Sequence, residues 1–284
     1  MKPQVQAFFD KATNTITYLV WDEASRAAAL VDPVLDYNAA AGRISTTSAE
    51  ALLAAIEERG LSLAWILETH AHADHLSAGH WLREKTGAPI AIGSGILKVQ
   101  ETFAPLFGVE ADGAAFDRLL EDGETLPLGE LTVTALHTPG HTPACVSYLI
   151  GDAVFVGDTL FMPDFGSARC DFPGGSARTL YRSIRRLLDL PAQTRIFVGH
   201  DYLPKDGRKD FAWETTVEAE RAGNVHVRDG VDEEAFVALR EGRDAGLPVP
   251  ALLLPALQVN IRAGALPPPD PSGRRFLRIP VGAL

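Results

Sequence analysis

"THAHADHLSAGH", residues 69–80, places four histidines and an aspartate within twelve residues. A cluster this dense points to a metal, because the neutral imidazole nitrogen is a common ligand for transition-metal ions. His70, His72 and Asp74 recur with a period of two, so they do not share a helical face. They fit an extended turn at the end of the short buried strand predicted for "LAWILETH" (63–70).

Three other stretches repeat this arrangement. "HTPGHTPAC" (137–145) presents His141 after a Pro-Gly turn. "FVGDTLF" (155–161) ends an apolar strand in Gly157-Asp158, where a carboxylate has to be paired or hold a cation. "IFVGHDY" (196–202) ends another in Gly199-His200. Each is a weak signal alone. Together they describe one site assembled from four strand ends, with His70, His72, Asp74, His75, His141, Asp158 and His200 as the candidate donors. His80 is expected to be capped or solvated on a helix, His137 to give outside support at most, and His226 to be solvated among surface charges.

The elements around these ends alternate. "TNTITYLVWD" (13–22) and "AAALVDPV" (27–34) predict neighbouring strands, and "TSAEALLAAIEERG" (47–60) a helix with Ser48 as N-cap and Gly60 as its stop. "HLSAGHWLREKTG" (75–87) predicts a second helix, and "VQETFAPLFGVEADG" (99–113) is read as a loop. Strands follow at 131–138, 144–150, 153–158 and 194–200, with an amphipathic helix at 176–191 and surface helices at 211–223 and 231–246. The stretch "LPVPALLLPALQVNIRAGALPPPDP" (247–271) is too rich in proline for a long helix and is read as an extended strap, a candidate for the rim of the site. Strands followed by a helix, twice over, predict one domain of two sheets flanked by helices. Its core covers about residues 4–220, with a helix and the Pro-rich strap over 221–284.

Of the 284 residues, 46% are hydrophobic, enough for a sizeable core. No run approaches ~20 apolar residues, so no membrane span is expected. The net charge of −11 argues against nucleic acid, which needs clustered Lys and Arg. Two cysteines, Cys145 and Cys170, and no recognisable secretory leader lead to the expectation of a cytoplasmic protein.

The run His70-Ala71-His72-Ala73-Asp74-His75 resembles the HxHxDH signature of the metallo-β-lactamase superfamily, whose later ligands match His141, Asp158 and His200 in order. The resemblance implies an α/β fold, an αββα sandwich of two mixed sheets flanked by helices with the metal between the sheet edges. "GDTLFMPDFGSARCDFPGGSARTLYRSI" (157–184), with Arg169-x-Asp171-Phe172, looks like the persulfide dioxygenase branch (ETHE-type and bacterial sulfide-detoxification enzymes) rather than secreted β-lactamases or glyoxalase II. It departs from the ETHE type in a longer loop before Arg169, and in carrying Ser167 where a cysteine is often found, with Cys170 after the arginine.

That branch implies one Fe(II) held by His70, His141 and Asp158, a two-histidine, one-carboxylate set that leaves positions for a persulfide sulfur and O₂. His72, Asp74, His75 and His200 would then orient ligands. Alternatively they would complete a two-zinc site for thioester hydrolysis of the glyoxalase II type. A third reading is a non-catalytic metal-binding sulfur sensor. The resemblance further implies a glutathione-based persulfide substrate and a homodimer. Arg169 is expected to pair with Asp171 or to meet a substrate carboxylate, and Tyr202 to donate to a thiol tripeptide. Lys205, Arg208 and Lys209 are a basic patch, solvated or attracting glutathione. Cys170 is either a packing residue or a thiol activated by Arg169.

Overall fold

The computed structural model describes residues 2–282; Met1, Ala283 and Leu284, at the ends of the expected domain, lie outside the described residues. The first sheet has six strands in the order β1 (Gln4–Asp10), β2 (Thr15–Trp21), β3 (Ala27–Val31), β6 (Ser62–Leu67), β8 (Ile90–Gly93) and β9 (Arg118–Leu120). The second runs β10 (Thr125–Leu128), β11 (Leu131–His137), β12 (Val146–Ile150), β13 (Ala153–Phe155), β14 (Arg195–Phe197) and β15 (Glu214–Thr216). Both are mixed: β3–β6, β6–β8, β8–β9 and β13–β14 pair parallel, and the other neighbours antiparallel. A small third sheet joins β4 (Val34–Asn38) to β5 (Arg43–Ser45) and to β7 (Leu76–Ser77).

Side-chain alternation builds the layers. Tyr18, Val20, Ala29, Val31 and Leu67 of the first sheet meet Val133, Ala135, Tyr148 and Phe155 of the second in the central core. The intervening Leu19, Leu30 and Ile66 face outward, under the helices α1 (Thr47–Glu58), α2 (Gly79–Thr86), α3 (Ile96–Phe107) and α7 (Leu253–Asn260). The outer face of the second sheet is covered by α4 (Ala177–Leu188), α5 (Val217–Gly223) and α6 (Glu233–Asp244), with Leu180, Ile184, Val217 and Phe236 buried. The fold is the expected αββα sandwich. No helix among the described residues is long and apolar enough to cross a membrane.

Several expectations need correction. Residues 75–87 are not one helix: Leu76–Ser77 pair with β4 as β7, and α2 begins only at Gly79. Thr46, not Ser48, occupies the cap position of α1, while the Ser48 hydroxyl donates to Asp36. Residues 99–113 hold most of helix α3 despite Pro105, because Ile96, Val99, Phe103 and Phe107 form a buried helical stripe. The 211–223 stretch opens as strand β15, and Thr216 then caps α5 by accepting from Ala219 N. The strap contains α7, which tolerates Pro255 because that residue lies in the first turn, where its missing N–H has no helical partner.

Helix α7 holds the histidine loop in place. The buried Asn260 accepts from Ser77 N at 2.8 Å and donates to the carbonyls of His72 and His75, both at 2.8 Å. Replacing Asn260 with alanine leaves one N–H and two carbonyls buried and unpaired, so we expect a loss of about 2–4 kcal/mol. Urea unfolding of N260A checks this; a midpoint equal to that of the parent would show that the clasp contributes nothing.

Candidate metal centre

Two buried tyrosines stitch the sheets together at the ends that carry the histidines. Tyr18 of the first sheet donates to Val198 O at 2.6 Å, two residues before His200. Tyr148 of the second donates to Glu68 O at 2.8 Å, two residues before His70. Gly157 has φ +48°, and a Cβ there would lie 2.3 Å from Thr69 Oγ1, so only glycine brings β13 this close to the loop after β6.

The strand ends converge as expected. Donor atoms of His70, His141 and Asp158 lie within 4.8 Å of one another, and so do those of His72, Asp74 and His75. His200 Nε2 lies 3.3 Å from Asp158 Oδ1 and 3.5 Å from Asp74 Oδ2, linking the two groups. His80 and His137 stay outside: the first neighbours Arg83 and Glu84, the second bonds Leu120 O.

Hydrogen bonds fix which nitrogen each imidazole offers. A carbonyl can only accept, so His141 Nδ1 donates to Arg169 O at 2.7 Å and His200 Nδ1 to Asn14 O at 3.1 Å. Thr69 Oγ1 donates to Asp32 Oδ2 at 2.7 Å and therefore accepts from His70 Nδ1 at 3.0 Å. In all three rings Nε2 is left for a metal. His72 has Nε2 at ion-pairing distance from Asp32 Oδ1, 3.0 Å, and neither of its ring nitrogens makes a hydrogen bond. His75 has Nδ1 3.2 Å from Asp74 Oδ2, which leaves Nε2. The buried atoms without a hydrogen-bond partner among the described residues include both ring nitrogens of His72, His75 Nε2, Asp158 Oδ1 and the neighbouring Glu68 Oε2, all in or beside this cluster. Unpaired donors and acceptors this deep carry a heavy desolvation penalty, and a bound cation removes it. The residues fit a metal.

The local charges agree. Burial, then the neighbouring His72 and His141, hold His70 well below its ordinary pKa, in the neutral form that ligates. Burial opposes the charged form of His72, but Asp32 and then Glu68 outweigh it and raise its pKa well above the ordinary value. His200 is likewise raised, burial being outweighed by Asp158 and Asp74. A cation competes with these protons, so metal uptake weakens as pH falls.

Asp32 and Glu68 escaped the sequence reading, although "AAALVD" ends an apolar strand in an aspartate just as "FVGD" does. Asp32 accepts from both Thr69 N and Thr69 Oγ1 at 2.7 Å. Glu68 lies 3.6 Å from His72 Nε2, and its other oxygen accepts from Ser77 Oγ.

A cleft of about 670 Å³ opens over the cluster, lined by Asp74, His141 and Asp158 together with Phe161, Tyr202 and the strap segment 247–251. The strap therefore does form part of the rim. Tyr202 stacks on His200 at 5.4 Å. Arg169 reaches the cleft, but its guanidinium is engaged by Asp171 at 2.5 and 2.6 Å and by Pro248 O at 2.8 Å. The structure thus gives the Asp171 pairing and not a free substrate arginine. Cys170 is no activated thiol: burial, then Asp244, push it up to about 12. Arg208 is held by Asp201 and Asp164, so the basic patch offers less free charge than its sequence suggests. His226 is not solvated either; it is buried against Ser167 N at 3.0 Å, and burial, then Arg240 and Arg243, bring it down to about 4.

Residues 12–200 match the Metallo-beta-lactamase superfamily. The chain is 51% identical to a probable metallo-hydrolase of Burkholderia pseudomallei, over 99% of both chains. It is 48% identical to a β-lactamase hydrolase-like protein of Xylella fastidiosa, of which it spans 65%. It is 32% identical to the mitochondrial persulfide dioxygenase ETHE1 of Bos taurus, over 94% of this chain and 91% of the other. The crystal structure of ETHE1 from Myxococcus xanthus superposes with a TM-score of 0.74 at 33% identity, over 92% of this chain and all of that one.

Asp32→Asn keeps the size of the side chain and removes its charge from beneath His72 and Thr69. We expect metal affinity to fall about 10–100-fold, measured by competition with a chelator. Unchanged affinity would refute the orienting role. His226 generates a pH dependence: between about pH 6.5 and 4 the unfolded chain takes a proton that the folded chain refuses, so stability falls as pH drops through this window. The loss is on the order of 2 kcal/mol after allowing for solvent screening. H226N should flatten that part of the curve of urea midpoint against pH.

Proposed function

The chain belongs to the metallo-β-lactamase superfamily, and on that footing we propose that it is an Fe(II)-dependent persulfide dioxygenase acting on glutathione persulfide or a similar low-molecular-weight persulfide. The overall change is R–S–S⁻ + O₂ + H₂O → R–SH + SO₃²⁻ + H⁺. One observation carries the reading. His141 and Asp158 line the open cleft and group with the buried His70, whereas of the second donor group only Asp74 reaches the cleft and His72 and His75, like His200, are almost wholly buried. Two of the three donors of the His70–His141–Asp158 group thus face an entering substrate, and that two-histidine, one-carboxylate set suits Fe(II) with open positions. The likeness to persulfide dioxygenases over nine tenths of the chain supports it.

A bound Fe(II) supplies the redox chemistry that zinc lacks. The chain's own residues prepare the site around it. The Arg169 carbonyl fixes the His141 tautomer, and Thr69, backed by Asp32, fixes that of His70. Phe161, Phe165 and the apolar strap residues give the cleft water-excluding walls. Tyr202, half-exposed and stacked on His200, lines the cleft and supplies a hydroxyl suited to donate to a thiol carrier's backbone.

A di-zinc thioester hydrolase is the second reading, favoured by the second donor group of His72, Asp74 and His75. Anaerobically purified protein should contain about one iron per chain and consume O₂ when given glutathione persulfide. Two zincs per chain with rapid S-lactoylglutathione hydrolysis and no O₂ uptake would overturn the proposal. Asp158→Ala should abolish metal binding and turnover together.

A further inference from the structure

Three arginines reach the cleft, and two of them are engaged. Arg169 is held by Asp171 and the strap carbonyl of Pro248. Arg240 is buried, with Nη2 2.7 Å from Asp244 Oδ1 and Nη1 donating to Ser167 O at 2.9 Å. Arg243 differs from both. It is exposed in the last turn of α6 and has no ion-pair or side-chain hydrogen-bond partner among the described residues. Its charge nonetheless reaches the cleft wall, where it opposes protonation of the buried His226.

The cleft is polarised by this arrangement. Its lining holds two acids, Asp74 and Asp158, that belong to the metal centre, and also the unpaired Arg243 and the apolar Leu247 and Val249, 44% and 65% exposed. Among the described residues no carboxylate lies within ion-pairing distance of Arg243, since the adjacent Asp244 is taken up by Arg240. A ligand that fits both ends carries a metal-seeking sulfur at one and an anion at the other. The planar fork of a guanidinium matches a carboxylate in two parallel hydrogen bonds.

We propose that Arg243 is the specificity-determining residue of this cleft, taking the carboxylate of a small thiol-derived substrate whose sulfur lies at the His70–His141–Asp158 end. The proposal rests on the reading of this cleft as the substrate's entry. It moves the carboxylate contact from Arg169, which the sequence suggested, to a residue that has no other partner. A cation in the last turn of a helix also offsets the helix dipole. That role would be seen in stability, not in ligand choice.

The test is calorimetric titration of the metal-loaded protein with reduced glutathione, which has the carboxylates but no persulfide to oxidise, and with its diethyl ester. 3-Mercaptopropionate, with a single carboxylate, tells a simple thiol acid from the tripeptide. Arg243→Ala should weaken glutathione binding about tenfold and Arg243→Lys less. The ester should bind parent and R243A alike, and urea midpoints should stay together. With glutathione persulfide, R243A should raise KM about tenfold while kcat changes less than twofold. Equal glutathione affinity in parent and R243A, an ester that binds as well as the acid, or no binding of either carboxylated thiol would overturn the proposal. Arg243-dependent binding without O₂ uptake would leave the anchor standing and remove the dioxygenase chemistry. O₂ uptake with an unchanged KM in R243A would do the reverse.

Discussion

A carboxylate sealed from water must be matched by partners, or it costs several kcal/mol. Asp32 is such a group, and the metal centre is arranged around the way its charge is met. It accepts twice from Thr69 and faces His72. Through the Thr69 hydroxyl it also sets the proton on His70, so one buried charge orients two ligand-bearing rings. Burial would raise its own pKa, but His72 beside it, with the Thr69 bonds, outweighs this and keeps it lowered and ionised. Gly157 then has to be glycine, because Thr69 occupies the space that a side chain would need.

The two sheets contribute to the centre unequally. The first brings the whole histidine loop on one strand end, backed by buried acids. The second brings His141, Asp158 and His200 from three separate strand ends, with ring orientation set by main-chain carbonyls at His141 and His200. The reciprocal tyrosine bonds keep these ends in register, since each hydroxyl crosses the core to a carbonyl two residues before a histidine. Rigid placement of this kind matters because a half-ångström error in a ligand position weakens a metal site sharply.

Much of this was legible in the residues. An apolar run ending in Gly-Asp or Gly-His states both the strand and the exposed functional end, and the HxHxDH spacing states the turn. What was not legible shares one cause: its meaning depends on residues far away in the chain. Asp32 reads as an ordinary strand end until Thr69 is placed beside it. Helix α3 is hidden by Pro105, and α7 by the prolines around it, because each helix is stabilised by the face it buries and not by its own propensity. The pairing of Arg169 with Asp171 could be read from their spacing, whereas nothing in the residues around Arg243 says that it reaches the cleft. His226 sits in a charged stretch, yet its ring fills the space that a side chain at Gly166 would take.

The Asn260 clasp has a bearing on the order of assembly. It ties the histidine loop to a helix 183 to 188 residues further along the chain. Contacts of such long separation form late, because the entropy of closing the loop must be met before they stabilise anything. During synthesis, the sandwich strands up to β15 emerge well before the residue that completes the loop's hydrogen bonds. Until Asn260 is in place, the carbonyls of His72 and His75 and the N–H of Ser77 have only water to bond, so the loop that carries the histidines is fastened by the last part of the fold.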